Sequence, residues 1–246
     1  MWTFFHKLGS PPWLYDFSAR VLRYLLPLTL LALVVGAVWG LLFTSPDFRQ
    51  GNSYRIIYIH VPAALVALAG YYVMAIAGAI SLIWKMKVAD MAMRSAASSG
   101  AAFTFIALVT GAIWGKPTWG TWWVWDARIT SMVVLLFLYL GVIALYQAFD
   151  NKQAANKACA ILALVGTVNI PIIYKSVDWW YSLHQPATIK FTSESTIHSS
   201  MLYPLLLMIG AFYALFACVV LLNLRTEILA TQARSTWLRK LLDESC

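Results

Sequence analysis

The sequence predicts an all-α membrane protein: six transmembrane helices with both termini cytoplasmic. Three observations carry that prediction. Of 246 residues, 61% are hydrophobic and only 11% charged; the mean hydropathy is +0.71; and apolar runs of about 20 residues, the length that crosses a bilayer, recur along the chain. A soluble domain of this size has too much surface relative to its volume to hide so much apolar area.

In order, the spans are Val21–Phe43, Ile57–Trp84, Ala96–Trp114, Ile129–Phe149, Ala158–Tyr174 and Met201–Asn223. Each must be helical, because backbone amides in hydrocarbon find partners only within their own segment. The first run starts too late, and runs too long, for a cleavable signal peptide. The connections are short and polar or aromatic, so residues 1–246 read as a single six-helix membrane domain without internal repeats. Lys and Arg set the orientation. Twelve fall on one side, from Lys7 through Lys85, Lys152 and Arg234 to Lys240, and six on the other: Arg49, Arg55, Lys116, Arg128, Lys175 and Lys190. The richer side is the cytoplasmic one. The net charge of +8 is accounted for by this topology and by the lipid bilayer, and predicts no nucleic-acid partner. The opposite loops face outward, into the periplasm if the membrane is a bacterial inner membrane.

Of the three cysteines, Cys159 and Cys218 lie in apolar runs and Cys246 is the last residue. No CxxC or CxxCH occurs, which argues against a zinc site, a thioredoxin-like pair and covalent c-type haem attachment. The inner connectors are ordinary polar segments. The outer ones hold the chemistry: "WGTWWVWDARIT" (Trp119–Thr130), "VDWWYSLHQP", and every histidine except His6.

An interfacial aromatic belt accounts for Trp39, Trp84, Trp114, Trp179 and Trp180, but a belt does not put four tryptophans into seven positions. If the stretch is helical, Trp119, Trp122 or Trp123, and Asp126 share one face. They would then form an aromatic shelf, with Gly120 permitting close approach. Such a shelf suits a sterol, a quinone, an apolar peptide or a porphyrin. Arg55 and Arg128 each sit where an outer loop meets a span; each could pair with Asp126, anchor a ligand carboxylate or simply snorkel. Two neutral imidazoles beside a flat apolar surface are what bis-histidine haem ligation requires, whereas zinc asks for three or four ligands. His60 and His184 lie in the two loops flanking the tryptophan stretch, and by spacing alone His198 is an alternative to His184. The candidate binding residues are therefore Trp114, Trp119, Gly120, Trp122, Trp123, Trp125, Asp126, Arg128 and Arg55, with His60 and either His184 or His198 on the metal.

The stretch also resembles the WWD signature, WGxxWxWDxRxT, of the haem-handling proteins of cytochrome c biogenesis. Trp119, Gly120, Trp123, Trp125, Asp126, Arg128 and Thr130 all match it. Length, six spans and one histidine in each flanking outer loop are similar to the CcmC (haem exporter protein C) family of cytochrome c maturation system I. The resemblance implies a periplasmic WWD loop at about 115–128 that carries haem b non-covalently and transiently, with His60 and His184 as axial ligands. It implies presentation of that haem to the chaperone CcmE, whose own histidine becomes attached to a vinyl group, and an assembly with CcmD, CcmA and CcmB. The protein would act as a platform and not as an enzyme. Two other classes are less well matched. Cytochrome b subunits bury their histidines within spans, and permeases place charged groups near the midplane; the spans here hold neither, apart from His60 at one end.

Overall fold

The computed structural model describes Lys7, residues 9–185 and residues 197–243; His6, Lys190 and Cys246, named above, lie outside these. From Pro11 onward the described residues form eight α-helices in order: α1 (Pro11–Leu42), α2 (Ile57–Trp84), α3 (Lys87–Trp119), α4 (Ala127–Ala148), α5 (Lys152–Gly166), α6 (Asn169–Trp179), α7 (Ser199–Thr231) and α8 (Thr236–Asp243). A 3₁₀ turn over Asn52–Ile56 leads directly into α2. Among the described residues six segments are long and apolar enough to span a membrane, the fifth being Lys152–Trp179, which comprises α5 and α6. The all-helical, six-span reading is borne out.

The helices outrun the hydropathic spans wherever charged turns continue them. Thus α3 starts at Lys87, and α7 runs on to Thr231. The fifth span departs from expectation more deeply, because it is broken in two. Pro171 has no N–H to offer the Thr167 carbonyl and crowds it. That carbonyl takes the Ile170 N–H instead at 3.1 Å, and Thr167 and Val168 bond three residues back, at 3.2 and 3.3 Å.

In the packing, α2 lies along α3, α1 packs on α7, α5 touches both α2 and α4, and α6 packs on α4. Alanines such as Ala63, Ala67, Ala96, Ala97, Ala160 and Ala163 are fully buried, and small residues let helices approach closely where water supplies no driving force. Tyr71, Tyr139, Met74 and Leu135 fill the space between them. Inside this core the Tyr139 hydroxyl donates to the Ala67 carbonyl at 2.8 Å. At one end of the bundle Arg94 of α3 meets Glu227 of α7 at 2.6 Å and Asn156 of α5 at 2.8 Å. The Arg94 guanidinium also lies over the Tyr146 ring of α4, 4.3 Å from its centre. The loops between α1 and α2 and between α3 and α4, together with residues 180–185 after α6, gather at the other end.

Candidate functional site

The tryptophan stretch is not a helix. α3 carries on through Trp119 and stops at Gly120, whose φ of +79° is left-handed. Residues 121–126 are irregular, and α4 begins at Ala127. The predicted shelf of helically spaced rings is therefore replaced by a helix end, a loop and a helix start. Gly120 also serves differently from expectation. No atom lies within 4 Å of where its Cβ would be, so its role is to terminate α3 in a conformation that costs other residues energy. Trp119 and Trp123 are half-buried, while Trp122 and Trp125 are exposed, and Trp123 packs edge-on against Trp125 with ring centres 5.3 Å apart.

Asp126 is the N-cap of α4. One carboxylate oxygen accepts the Ile129 N–H at 2.8 Å, satisfying a donor that the first helical turn leaves free. The other accepts the hydroxyl of Ser182, from the loop after α6. An Asp126–arginine ion pair was one of the expected arrangements, and it does not form: among the described residues the ion pairs are Arg94–Glu227 and Lys175–Asp178. Positions two apart on a helical turn face different ways, which takes Arg128 out of reach. Arg55 instead donates to the Thr44 carbonyl at 2.7 Å, closing the first loop. Arg55 Nε, Arg128 Nε and Trp123 Nε1 are buried without a hydrogen-bond partner among the described residues.

His60, in the first turn of α2, and His184, five residues beyond α6, are brought together with ring centres 6.3 Å apart and planes at 38°. His60 Nδ1 bonds the Ala107 carbonyl at 3.0 Å and the Thr110 hydroxyl at 3.2 Å. His184 Nδ1 bonds the Gln185 carbonyl at 2.8 Å. A carbonyl partner puts the proton on Nδ1 and leaves Nε2 with its lone pair, the state in which a histidine ligates metal. Burial, and then the nearby Arg128 charge, hold His184 below the ordinary imidazole pKa, which favours that neutral ring. Trp114 stands edge-on to His60 at 5.6 Å, and Trp119 is tilted against His184 at 6.5 Å. Gly111 leaves room for His60, since a Cβ there would lie 3.0 Å from the ring. His198 plays a different part: its Nδ1 accepts the Ser200 N–H at 3.3 Å and caps α7.

Among the described residues no group of three or more His, Cys, Asp or Glu side chains converges. A metal held between His60 and His184 would therefore bring its remaining ligands with it, as a metalloporphyrin does. Two imidazoles sharing one metal, each bonded at about 2 Å through a nitrogen roughly 1.1 Å from its ring centre, would have centres no more than about 6 Å apart, and the His60 and His184 rings stand at a separation of that order.

Two partners at the site were not legible in the sequence. Gln50 accepts the Trp114 indole N–H at 2.7 Å, and Ser182 joins Asp126 to the His184 segment. Neither residue type signals such a role without the contact.

Comparison with known proteins now decides the family. The family model for Heme exporter protein C matches residues 4–239. The chain belongs to this family. It is 48% identical over 242 residues, covering 98% of each chain, to Heme exporter protein C of Escherichia coli strain K12. With the family member of Rhodobacter capsulatus it shares 40% identity over 230 residues, 93% of this chain and 95% of that one. A ccmC-like mitochondrial protein of Marchantia polymorpha, named for cytochrome c biosynthesis, is 44% identical over 195 residues, 79% of this chain and 82% of that one.

Proposed function

We propose that this chain binds haem b non-covalently where the tryptophan loop meets His60 and His184, and presents it to the membrane-anchored chaperone CcmE in c-type cytochrome maturation. The observation that carries the proposal is the His60–His184 pair: ring centres at 6.3 Å, each Nδ1 engaged, each Nε2 free of partners among the described residues. Trp114 and Trp119 flank the imidazoles, and Trp122, Trp123 and Trp125 extend the apolar surface. Arg128 and Arg55, each with a buried N–H in want of an acceptor, suit the propionates. Gly120 and Asp126 set the course of the loop.

The haem is cargo. Holding it by coordination alone, without a CxxCH, fits a group that must leave, and release requires at least one iron–histidine bond to break. The chain contributes positioning, which is worth several kcal/mol of barrier when a reaction partner is brought to a fixed edge, and supplies no side-chain nucleophile. The excess of Lys and Arg at the opposite end supports a site on the periplasmic face of a bacterial inner membrane, with both termini cytoplasmic. CcmD and the ABC pair CcmA and CcmB complete the assembly that the family resemblance implies.

The test is the optical spectrum of purified, haem-loaded protein, taken before and after adding the chaperone. A six-coordinate low-spin spectrum is expected, altered in both His60→Ala and His184→Ala. An unchanged spectrum in both variants rejects the ligand assignment.

A further inference from the structure

Among the described residues few hydrogen bonds hold the segment between α6 and the His184 ring, although the ring itself packs against His60 and Trp119. Tyr181 is 87% exposed and Leu183 is exposed as well. Among the described residues the His184 ring bonds its neighbour Gln185, and Trp180 N–H bonds back to Ser176 in α6. Among the described residues, a single hydrogen bond joins residues 180–185 to another helix or loop: the Ser182 hydroxyl to Asp126, across 56 positions of sequence. The same Ser182 oxygen accepts the His184 backbone N–H at 3.0 Å. One hydroxyl thus ties the imidazole-bearing backbone to the carboxylate that also caps α4. A bond to an ionised acceptor is about twice as strong as one between neutral groups.

We propose that Ser182 is a positioning residue for the second imidazole: its paired bonds to Asp126 and to the His184 N–H hold that ring in register with His60. The inference rests on the ligand reading above and goes beyond it, because it assigns the register of the grip to a residue outside the tryptophan signature and outside the histidine pair. It also links the two loops. Any rearrangement of the tryptophan loop that moves Asp126 moves the backbone of His184 with it.

The experiment compares Ser182→Ala, Ser182→Cys and Ser182→Thr with His184→Ala, all as full-length haem-loaded protein, by optical spectrum, haem dissociation rate and response to added imidazole. Outer-sphere partners of metal-bound histidines typically change affinity about 10- to 100-fold. Ser182→Ala is therefore expected to lose haem at least about tenfold faster, with a reduced low-spin fraction that free imidazole restores. Ser182→Thr keeps the hydroxyl and should behave as the parent. Ser182→Cys keeps the size but weakens both bonds, and should fall between; it carries the test if Ser182→Ala does not accumulate. A merely structural defect would not be repaired by imidazole. Parent-like spectra and rates in Ser182→Ala or Ser182→Cys, while His184→Ala is altered, overturn the Ser182 proposal and leave the ligand reading standing. A parent-like His184→Ala overturns both.

Discussion

Trp114 donates its indole N–H to Gln50 at 2.7 Å, so the loop after α1 braces the ring that stands edge-on to His60. Gln50→Ala leaves that half-buried donor without its acceptor, a loss of about 1 kcal/mol. The expected outcome is haem dissociation about fivefold faster, while Gln50→Glu, which keeps an acceptor oxygen, stays closer to the parent. Stopped-flow transfer of haem to an excess of apo-myoglobin measures both. Equal rates in all three proteins would show that the brace is not felt at the site.

Gly120 can be tested by conformation alone. Its φ of +79° suits glycine, and an added Cβ has no neighbour within 4 Å. Gly120→Ala is therefore expected to cost about 1–2 kcal/mol through backbone strain, and Gly120→Asn less, since asparagine tolerates this region. Thermal unfolding in detergent gives the order parent, Asn, Ala; a parent-like Ala variant contradicts the assignment.

Asp126 serves two partners with two oxygens. Replacing it by alanine removes the α4 cap, about 1 kcal/mol, and frees Ser182 as well. Asparagine is as good a cap but carries no charge. Asp126→Asn should thus keep the parent's unfolding midpoint yet bind haem more weakly, whereas Asp126→Ala should lose on both measures.

At the far end, Arg94 has a side chain only 8% exposed, against 33% for Glu227. Breaking a buried pair one-sidedly costs several kcal/mol, and the partial exposure of Glu227 reduces this to about 2 kcal/mol for Arg94→Met. The haem spectrum should not change, because some 25 residues of α3 at about 1.5 Å each separate this pair from Trp119. A shifted spectrum would mean that the two ends are coupled.

The helices were readable because their signal is collective: every span repeats the same apolar message over many residues. Asp126 was singled out beside the tryptophans, but its partner was not foreseeable, since Ser182 looks like any loop serine until α4 and α6 pack together. The helical shelf failed for a local reason. Trp119, Trp122, Trp123 and Asp126 do have helical spacing, yet Gly120 in a left-handed conformation ends the helix before that periodicity can apply. His60 was legible as a candidate ligand; between His184 and His198 the residues left the choice open and the family resemblance pointed to His184, while the fold brings His184 beside His60 and makes His198 the N-cap of α7. The break at Thr167 could have been anticipated from Pro171; an unbroken apolar run outweighed it.

That break has a mechanical consequence. α6 is an 11-residue stub whose main packing neighbour is α4; at about 1.5 Å per residue it makes a lever roughly 16 Å long. A swing of about 10° at Thr167–Val168 would carry its tip about 3 Å, more than the length of an iron–nitrogen bond. Such a swing is opposed by α4, on which α6 packs and to whose N-cap, Asp126, the Ser182 hydroxyl is bonded, so α4 and not α5 fixes where His184 lies.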